Sequence, residues 1–183
     1  MNLIASLASL ARPLLTLPLV RQTRRNHGLE HATIHLLSRR VNVPMAGRSD
    51  QTGFVLFGDI PTTAVEAATR DALKRLQSGE RNLAVHPNCG TNLVTTAFMV
   101  SIAAFIASIG AKQGERWSRL PLAMTLSMIA LFASRPIGMD LQRHITTDGD
   151  PADTEIVTVT QRDIRLPMSK MPLTVHRVET RST

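Results

Sequence analysis

The sequence has 183 residues, a formal net charge of +7, no tyrosine and one cysteine, and 43% of its residues are hydrophobic. A chain of this length can form one domain with a hydrophobic core in addition to membrane segments. Its shortage of aromatic residues disfavours binding of single-stranded nucleic acid, which stacks its bases on aromatic rings. The single cysteine, Cys89, excludes an intrachain disulfide framework.

The basic residues are dispersed around apolar segments instead of forming one block. Cations in such positions are attracted to anionic lipid headgroups, by about 1 kcal/mol for each well-placed residue. The distribution therefore favours a lipid bilayer as the partner and gives nucleic acid no support. The arginines concerned are Arg21, Arg24, Arg25, Arg116, Arg119, Arg135 and Arg143.

The N-terminal segment, residues 1–20, is predicted to be an interfacial, membrane-associated segment. It is apolar apart from Asn2, a few hydroxyl groups and Arg12, and Pro13 and Pro18 interrupt any continuous helix. It has neither the cationic start nor the small-x-small cleavage site of a secretory signal. The alternative is a loose helix that packs on the protein's own core.

The five residues HGLEH at 27–31 are the most informative part of the sequence. Apolar residues repeat at a mostly helical period over 25–40, so the motif is predicted to lie on a helix. There His27 and His31 face the same side and Glu30 lies beside the second, in an H-x-x-E-H order that inverts the zincin signature. The pair of imidazoles predicts a divalent metal site, with Glu30 as the general base for a metal-bound water.

The next elements along the chain are predicted to be a strand and a helix. Residues 53–58, GFVLFG, are a short apolar run bounded by glycines, which is typical of a buried strand. The small, polar and acidic residues at 47–50 predict a loop before it. Apolar residues repeat at helical spacing over 62–78, where Thr63 and Glu66 have the spacing of a capping box.

A second polar cluster, HPNCGT at 86–91, lies directly before an apolar run. It offers a third metal ligand, either His86 or Cys89. His86 is slightly preferred because imidazole is the commonest metal ligand, whereas a thiolate at Cys89 would itself be stabilised by a metal. Zinc binds all of these donor types and is the predicted ion.

An alternative without metal remains open for both clusters. The imidazoles would then hydrogen-bond at the entrance to the membrane segment, with Pro87 and Gly90 shaping a turn. His35 lies one turn further along the same helical stripe as the HGLEH histidines. We interpret His35 as an interfacial or core histidine rather than as a ligand.

Two nearly uncharged runs, 93–111 and 120–134, predict a transmembrane helical hairpin over 92–135. The first run can cross a hydrocarbon core of about 30 Å, but the second, at about fifteen residues, is short unless its flanking arginines reach the interface. A buried helical hairpin is the alternative. The arginines after the N-terminal segment place both polar parts, 21–91 and 136–183, on the cytoplasmic side of the cell (inner) membrane.

The C-terminal region is predicted to complete the sheet, because a single strand at 53–58 needs partners. Two candidate strands lie there, separated by a loop over 167–172. The predicted fold is therefore α+β, a helix-strand-helix domain completed by C-terminal strands, with an inserted two-helix transmembrane hairpin. The strand residues are Ile156, Val157 and Val159 in one case and Leu173, Val175 and Val178 in the other.

The two polar clusters together resemble a known family. RNHGLEHATIHLLSRR at 25–40 and LAVHPNCGTN at 83–92, followed by a hydrophobic hairpin, resemble domain-of-unknown-function family 6391, a group of bacterial membrane proteins. The sequence is more distantly similar to family 1385, in which HGAEH and HPRCGTS precede transmembrane helices. Ala32 stands where that family commonly has lysine, so a role for a charge there does not carry over. The resemblance covers about residues 20–150; it implies a membrane protein with a shared polar site and supplies no reaction.

Two functions from different classes follow from these observations. One is a membrane-anchored, metal-dependent hydrolase, most plausibly a peptidase, that works at the bilayer surface. The other is a non-enzymatic assembly or regulatory subunit in which the same residues form a structural metal site or a hydrogen-bonded cluster. A membrane-protein partner or a second copy of the chain is compatible with either function. A closed site with four protein ligands would favour the second, because a catalytic zinc keeps one position for water.

Overall fold

The computed structural model describes residues 3–111, 114, 117–164 and 172–182. The chain forms two compact units: the first combines residues 1–86 with 143–183, and the second comprises 87–142. The first unit contains an antiparallel sheet with helices, so the predicted α+β class is confirmed.

Three helices follow one another at the N-terminus: α1 Leu3–Leu10, α2 Arg12–Leu15 and α3 Pro18–Leu37. The predicted interruption by proline is confirmed, because α2 and α3 each begin with a proline in the first turn. Proline is tolerated there since the first N–H groups of a helix have no intrahelical acceptor. The helix predicted over 25–40 is confirmed as part of α3, which ends three residues earlier, at Leu37.

The sheet has four strands in the order β1-β2-β4-β3, with all neighbours antiparallel. The strand predicted at 53–58 is confirmed as β2, and both predicted C-terminal strands are present and complete the sheet. The predicted loop over 167–172 lies, apart from Pro172, outside the described residues. The strand bounds are β1 Ala46–Asp50, β2 Gly53–Phe57, β3 Glu155–Ile164 and β4 Leu173–Arg181.

The loop predicted at 47–50 is wrong, because these residues form the edge strand β1. Gly47 pairs with Leu56 and Ser49 with Phe54 of β2. The chain reverses only after Asp50, at Gln51 and Thr52. A strand at the edge of a sheet can be short and polar, so β1 has none of the apolar alternation that marks a half-buried strand.

The helix predicted over 62–78 is confirmed as α4, Thr62–Gln77, but its capping box is wrong. The helix begins one residue before Thr63, and its N-cap residue, Pro61, makes no side-chain capping hydrogen bond. Glu66 instead accepts a hydrogen bond of 2.9 Å from the guanidinium of Arg70, one turn further along the helix. This i, i+4 ion pair competes with the backbone contact that a capping box requires.

The hydrophobic core of the first unit lies where α3 and α4 cover one face of the sheet. Full burial of one such side chain stabilises the fold by about 1.5–3 kcal/mol. These contacts hold the motif-bearing helix α3 rigidly against β1 and β2. The core side chains with 0% exposure include Leu29, Leu37, Phe54, Leu56, Val65 and Val178.

The second unit is built from two helices, α5 Gly90–Ser108 and α6 Leu120–Leu141. The second apolar run was predicted to be about fifteen residues long, but α6 has 22 residues and continues through Arg135 and Pro136. The helix is longer than the uncharged run because Arg135 lies on its exposed side and does not end it. Both helices are long and apolar enough to cross a membrane.

Small and polar residues line the contact between α5 and α6. The hydroxyl groups of Thr96 and Ser134 are 2.7 Å apart, and the Gln142 amide donates to the Asn92 carbonyl oxygen at 2.9 Å. Gly138 leaves room for Asn92, whose side chain occupies the space that a Cβ would need. In contrast, large apolar side chains on the outer surfaces are exposed, among them Leu93, Phe98, Phe105, Met124 and Phe132.

Candidate metal centre

The centre begins with two histidines on consecutive turns of α3, as the spacing predicted. The ring centroids of His27 and His31 are 4.4 Å apart and the ring planes are inclined by 65°. A ring nitrogen of His27 and one of His31 lie within 4.8 Å of each other. One ion can therefore contact both rings after small side-chain rotations.

Both rings donate a hydrogen bond through Nδ1 to a backbone carbonyl. His27 donates to the carbonyl oxygen of Thr146 at 2.9 Å, and His31 donates to that of Ala84 at 2.8 Å. Because a carbonyl only accepts, each ring carries a proton on Nδ1. In the neutral ring Nε2 then has the lone pair, which is the arrangement that second contacts impose on metal-binding histidines.

Two separate backbone segments supply these carbonyl oxygens. Ala84 ends a short 3-10 turn, Arg81–Ala84, which directly precedes the second polar cluster. Thr146 ends the helical turn that follows α6, and two residues later the carbonyl of Asp148 occupies the space that a Cβ on Gly28 would need. The glycine within HGLEH therefore allows the post-α6 backbone to approach the histidine helix closely.

His86, the preferred third ligand, lies beside this pair. Its ring centroid is 6.0 Å from that of His31, and the planes are inclined by 50°. Burial lowers the pKa of His86, and the neighbouring imidazoles of His31 and His35 lower it further. The ring is thus held in the neutral form that metal binding requires.

Cys89 belongs to the second unit and is the N-terminal cap of α5. Its Sγ accepts a hydrogen bond of 3.4 Å from the backbone N–H of Thr91. Sulfur is a weak acceptor, so this cap contact stabilises the start of the helix only modestly. The assignment of Cys89 as a metal ligand stays a prediction.

Glu30 lies against the sheet. Its side chain is only 4% exposed, accepts a hydrogen bond from the hydroxyl of Ser49, and fills the space that a Cβ on Gly47 would need. Burial raises the pKa of Glu30, while the Ser49 hydrogen bond and the nearby His27 act to lower it. The observed contacts link α3 to β1, and the general-base role stays a prediction.

His35 has a different partner from the other histidines of its stripe. Its Nε2 accepts a hydrogen bond of 2.9 Å from the guanidinium of Arg39. Burial and the Arg39 charge both lower the pKa of His35. The interpretation of His35 as an interfacial or core histidine stays a prediction.

Two residues position this helix: Asn26 was not singled out from the sequence, and Arg24 was considered only as a cation for lipid headgroups. Asn26 is 2% exposed; its amide donates to the carbonyl of Asp50 at 2.8 Å, and its carbonyl oxygen accepts from Thr180 at 2.7 Å. Arg24 contacts the backbone after α6. The signal in the sequence that could have identified Asn26 and Arg24 is their position just before HGLEH. A third missed residue, the fully buried His176 of β4, faces the core opposite Leu56.

Comparison with known proteins identifies a family but no activity. A family model described as a domain of unknown function (DUF6391) matches residues 22–159. The chain is also 34% identical over 141 residues to an uncharacterised protein of Picosynechococcus sp.; the match covers 68% of this chain and 65%, just under two thirds, of that protein. No solved structure matches. The chain therefore belongs to this family of domains of unknown function, as the two polar clusters implied.

Proposed function

We propose that this chain is an integral membrane protein that binds one divalent metal ion, zinc in the first instance, through His27 and His31. The observation that carries the proposal is the pair of Nδ1 hydrogen bonds to backbone carbonyls. They orient both rings and direct the metal-binding lone pair to Nε2. Two imidazoles that merely filled a core would not need the same tautomer on adjacent turns.

The remaining ligands come from the second polar cluster. His86 offers a further imidazole, with its ring centroid 6.0 Å from that of His31. Cys89 follows three residues later in the sequence, and such a tether spans at most about 11 Å. Both donors thus remain within reach of one ion. With one of them the centre keeps a position for water, and with both it is closed.

A closed, structural centre in a non-enzymatic membrane protein is the function that the geometry supports best. The candidate ligands are two histidines of α3 and two donors of the second polar cluster, which together are enough to fill the four positions of a structural zinc ion. The predicted base, Glu30, is occupied by the Ser49 hydroxyl and packs against β1. A structural ion gains its binding energy from such a complete set of ligands.

A metal-dependent hydrolase at the membrane surface is the second candidate. It is favoured by the H-x-x-E-H order, which puts Glu30 next to a ligand on the same helix. A general base must reach the metal-bound water, directly or through one further water. Glu30→Gln separates the two functions, because it removes the base and keeps the size of the side chain.

Membrane insertion is proposed from the surface of the second unit. Only 17% and 11% of its two apolar helical windows are buried, whereas a core helix is mostly buried. The N-terminal segment 1–20 is proposed to lie in the interface, because Leu3, Leu10 and Leu14 are 74%, 78% and 65% exposed. Arginines after this segment favour the cytoplasmic leaflet of the inner membrane.

Metal analysis of the purified protein tests the centre. We expect about one zinc ion per chain, and His31→Ala should weaken zinc binding by about tenfold or more, because even an outer contact of a ligand contributes that much. His35→Ala is the matched control: it removes an imidazole from the same helix, but one bonded to Arg39, and it should retain the ion. Wild-type protein without metal, or His31→Ala with full occupancy, would refute the assignment.

A further inference from the structure

Arg24 lies one turn before His27 on α3. Both its side-chain guanidinium and its backbone carbonyl contact the backbone that follows α6. Its guanidinium donates to the carbonyl of Ile145 through Nε at 2.7 Å and to those of Thr147 and His144 through Nη2 at 3.0 and 3.3 Å. Its own carbonyl accepts a hydrogen bond of 3.0 Å from the Asp148 N–H. One arginine thus holds the whole segment 144–148.

The carbonyl that fixes His27 lies in the middle of this segment. Thr146 is flanked on both sides by residues whose carbonyls Arg24 holds, and its own carbonyl accepts from His27 Nδ1 at 2.9 Å. The segment begins in a π-helical turn, Gln142–Thr146. Such turns are rare and recur at functional sites, and their carbonyls need partners outside the regular helical pattern.

We propose that Arg24 is a positioning residue for the metal centre. It fixes the Thr146 carbonyl, which in turn holds His27 in the Nδ1–H tautomer with Nε2 available to the ion. Only the last step, the effect on metal affinity, rests on the proposed metal function. The effect on His27 itself follows from the hydrogen bonds alone.

The planar guanidinium suits this task better than another cation would. It presents N–H groups in fixed directions, and here Nε and Nη2 reach three different carbonyls. A lysine would carry the same charge, but its compact ammonium cannot span the same set of acceptors. Arg24→Lys therefore tests the geometry separately from the charge, and Arg24→Met tests both together.

The experiment measures the His27 tautomer and zinc binding on the full-length chain in detergent micelles. Histidine labelled with ¹⁵N reports, after chelator treatment at slightly alkaline pH, which ring nitrogen carries the proton. We expect a single Nδ1–H form in the wild type, a mixture of tautomers in Arg24→Met, and an intermediate result in Arg24→Lys. Zinc titration should show an affinity loss of about tenfold or more in Arg24→Met.

Arg70→Met is the control, because Arg70 is an exposed arginine of α4 whose ion pair with Glu66 spans 2.9 Å. It should change neither the tautomer nor the zinc affinity. An unchanged His27 tautomer in both Arg24 variants would overturn the inference. If Arg24→Met does not fold, the result for Arg24→Lys decides by itself. If wild-type protein binds no zinc, the metal function fails, while the tautomer measurement still decides the role of Arg24.

Discussion

At the scale of single residues, the surroundings of Glu30 differ from those that a general base requires. A base for a metal-bound water must be ionised and must face the ion. The side chain of Glu30 is instead buried, and Ser49 on β1 donates a hydrogen bond to its carboxyl group. Burial raises the pKa of Glu30 because a charge loses hydration there, so the ionised form costs stability in the folded protein.

Glu30→Gln should remove a pH-dependent loss of stability. Because the pKa of Glu30 is raised above 4.5 in the folded protein, folding favours the protonated form, and stability falls as the pH rises from about 4.5 through the raised pKa. The glutamine variant stays neutral throughout. Thermal melts of metal-free protein should therefore show the wild type losing more stability than the variant as the pH rises above about 4.5.

The same variant decides between the two candidate functions. We expect it to keep its zinc. If cellular function is lost while metal and thermal stability remain, Glu30 acts as a base and the hydrolase is supported, since general-base catalysis commonly contributes about a hundredfold or more. Normal function at normal metal content would rule out the hydrolase. An equal change of thermal stability with pH in the wild type and in Glu30→Gln would contradict the argument that burial raises the pKa of Glu30.

At the scale of elements, apolar patterns predicted more of this molecule than polar ones did. Strand β2 and helix α4 were predicted because their apolar residues follow the periods of a buried strand and an amphipathic helix. The edge strand β1 was missed because it is polar. The same difference holds for the site. The i, i+4 spacing predicted that His27 and His31 share a face. Their partners, the backbone carbonyls of Thr146 and Ala84, could not be predicted, because every residue has a backbone carbonyl.

The hairpin formed by α5 and α6 depends on small residues at a spacing of four along α6. Ala130, Ser134 and Gly138 are all buried in the second unit. Helices in lipid gain little from apolar burial, so close packing of small residues and hydrogen bonds between helices hold them together. Both features occur here, because Ser134 meets Thr96 at 2.7 Å and Gly138 accommodates Asn92.

Gly138→Val should destabilise the hairpin by about 1–3 kcal/mol, the usual cost of inserting volume into a packed interface. The side chain of Asn92 stands where the new Cβ would be, so the helices must separate. Phe132→Leu is the control, because Phe132 is 73% exposed on the same helix. Thermal unfolding in detergent, followed by helical circular dichroism, should show a lower midpoint for Gly138→Val only. Equal midpoints would show that this contact does not hold the helices together.

At the scale of the whole molecule, one sheet joins residues that lie before and after the hairpin in the sequence. Strand β2 pairs with β4, and β4 pairs with β3, so the first unit needs both 53–57 and 155–181. A sheet cannot form across a bilayer, since its strands must be adjacent for their backbone groups to pair. If the segment 87–142 inserts into a membrane, as proposed, it must therefore leave and return on the same side.

Cysteine labelling tests this topology in a Cys89→Ala background. Gln51→Cys in the turn after β1 and Thr160→Cys in β3 are exposed positions of the first unit. In the proposed orientation, with both positions on the cytoplasmic side, a membrane-impermeant maleimide should label neither in intact cells and both in inverted vesicles. Gly114→Cys, an exposed position between α5 and α6, should show the opposite pattern. Labelling of positions 51 and 160 from different sides would contradict the shared sheet, whereas reversal of all three patterns would keep the hairpin and invert its orientation.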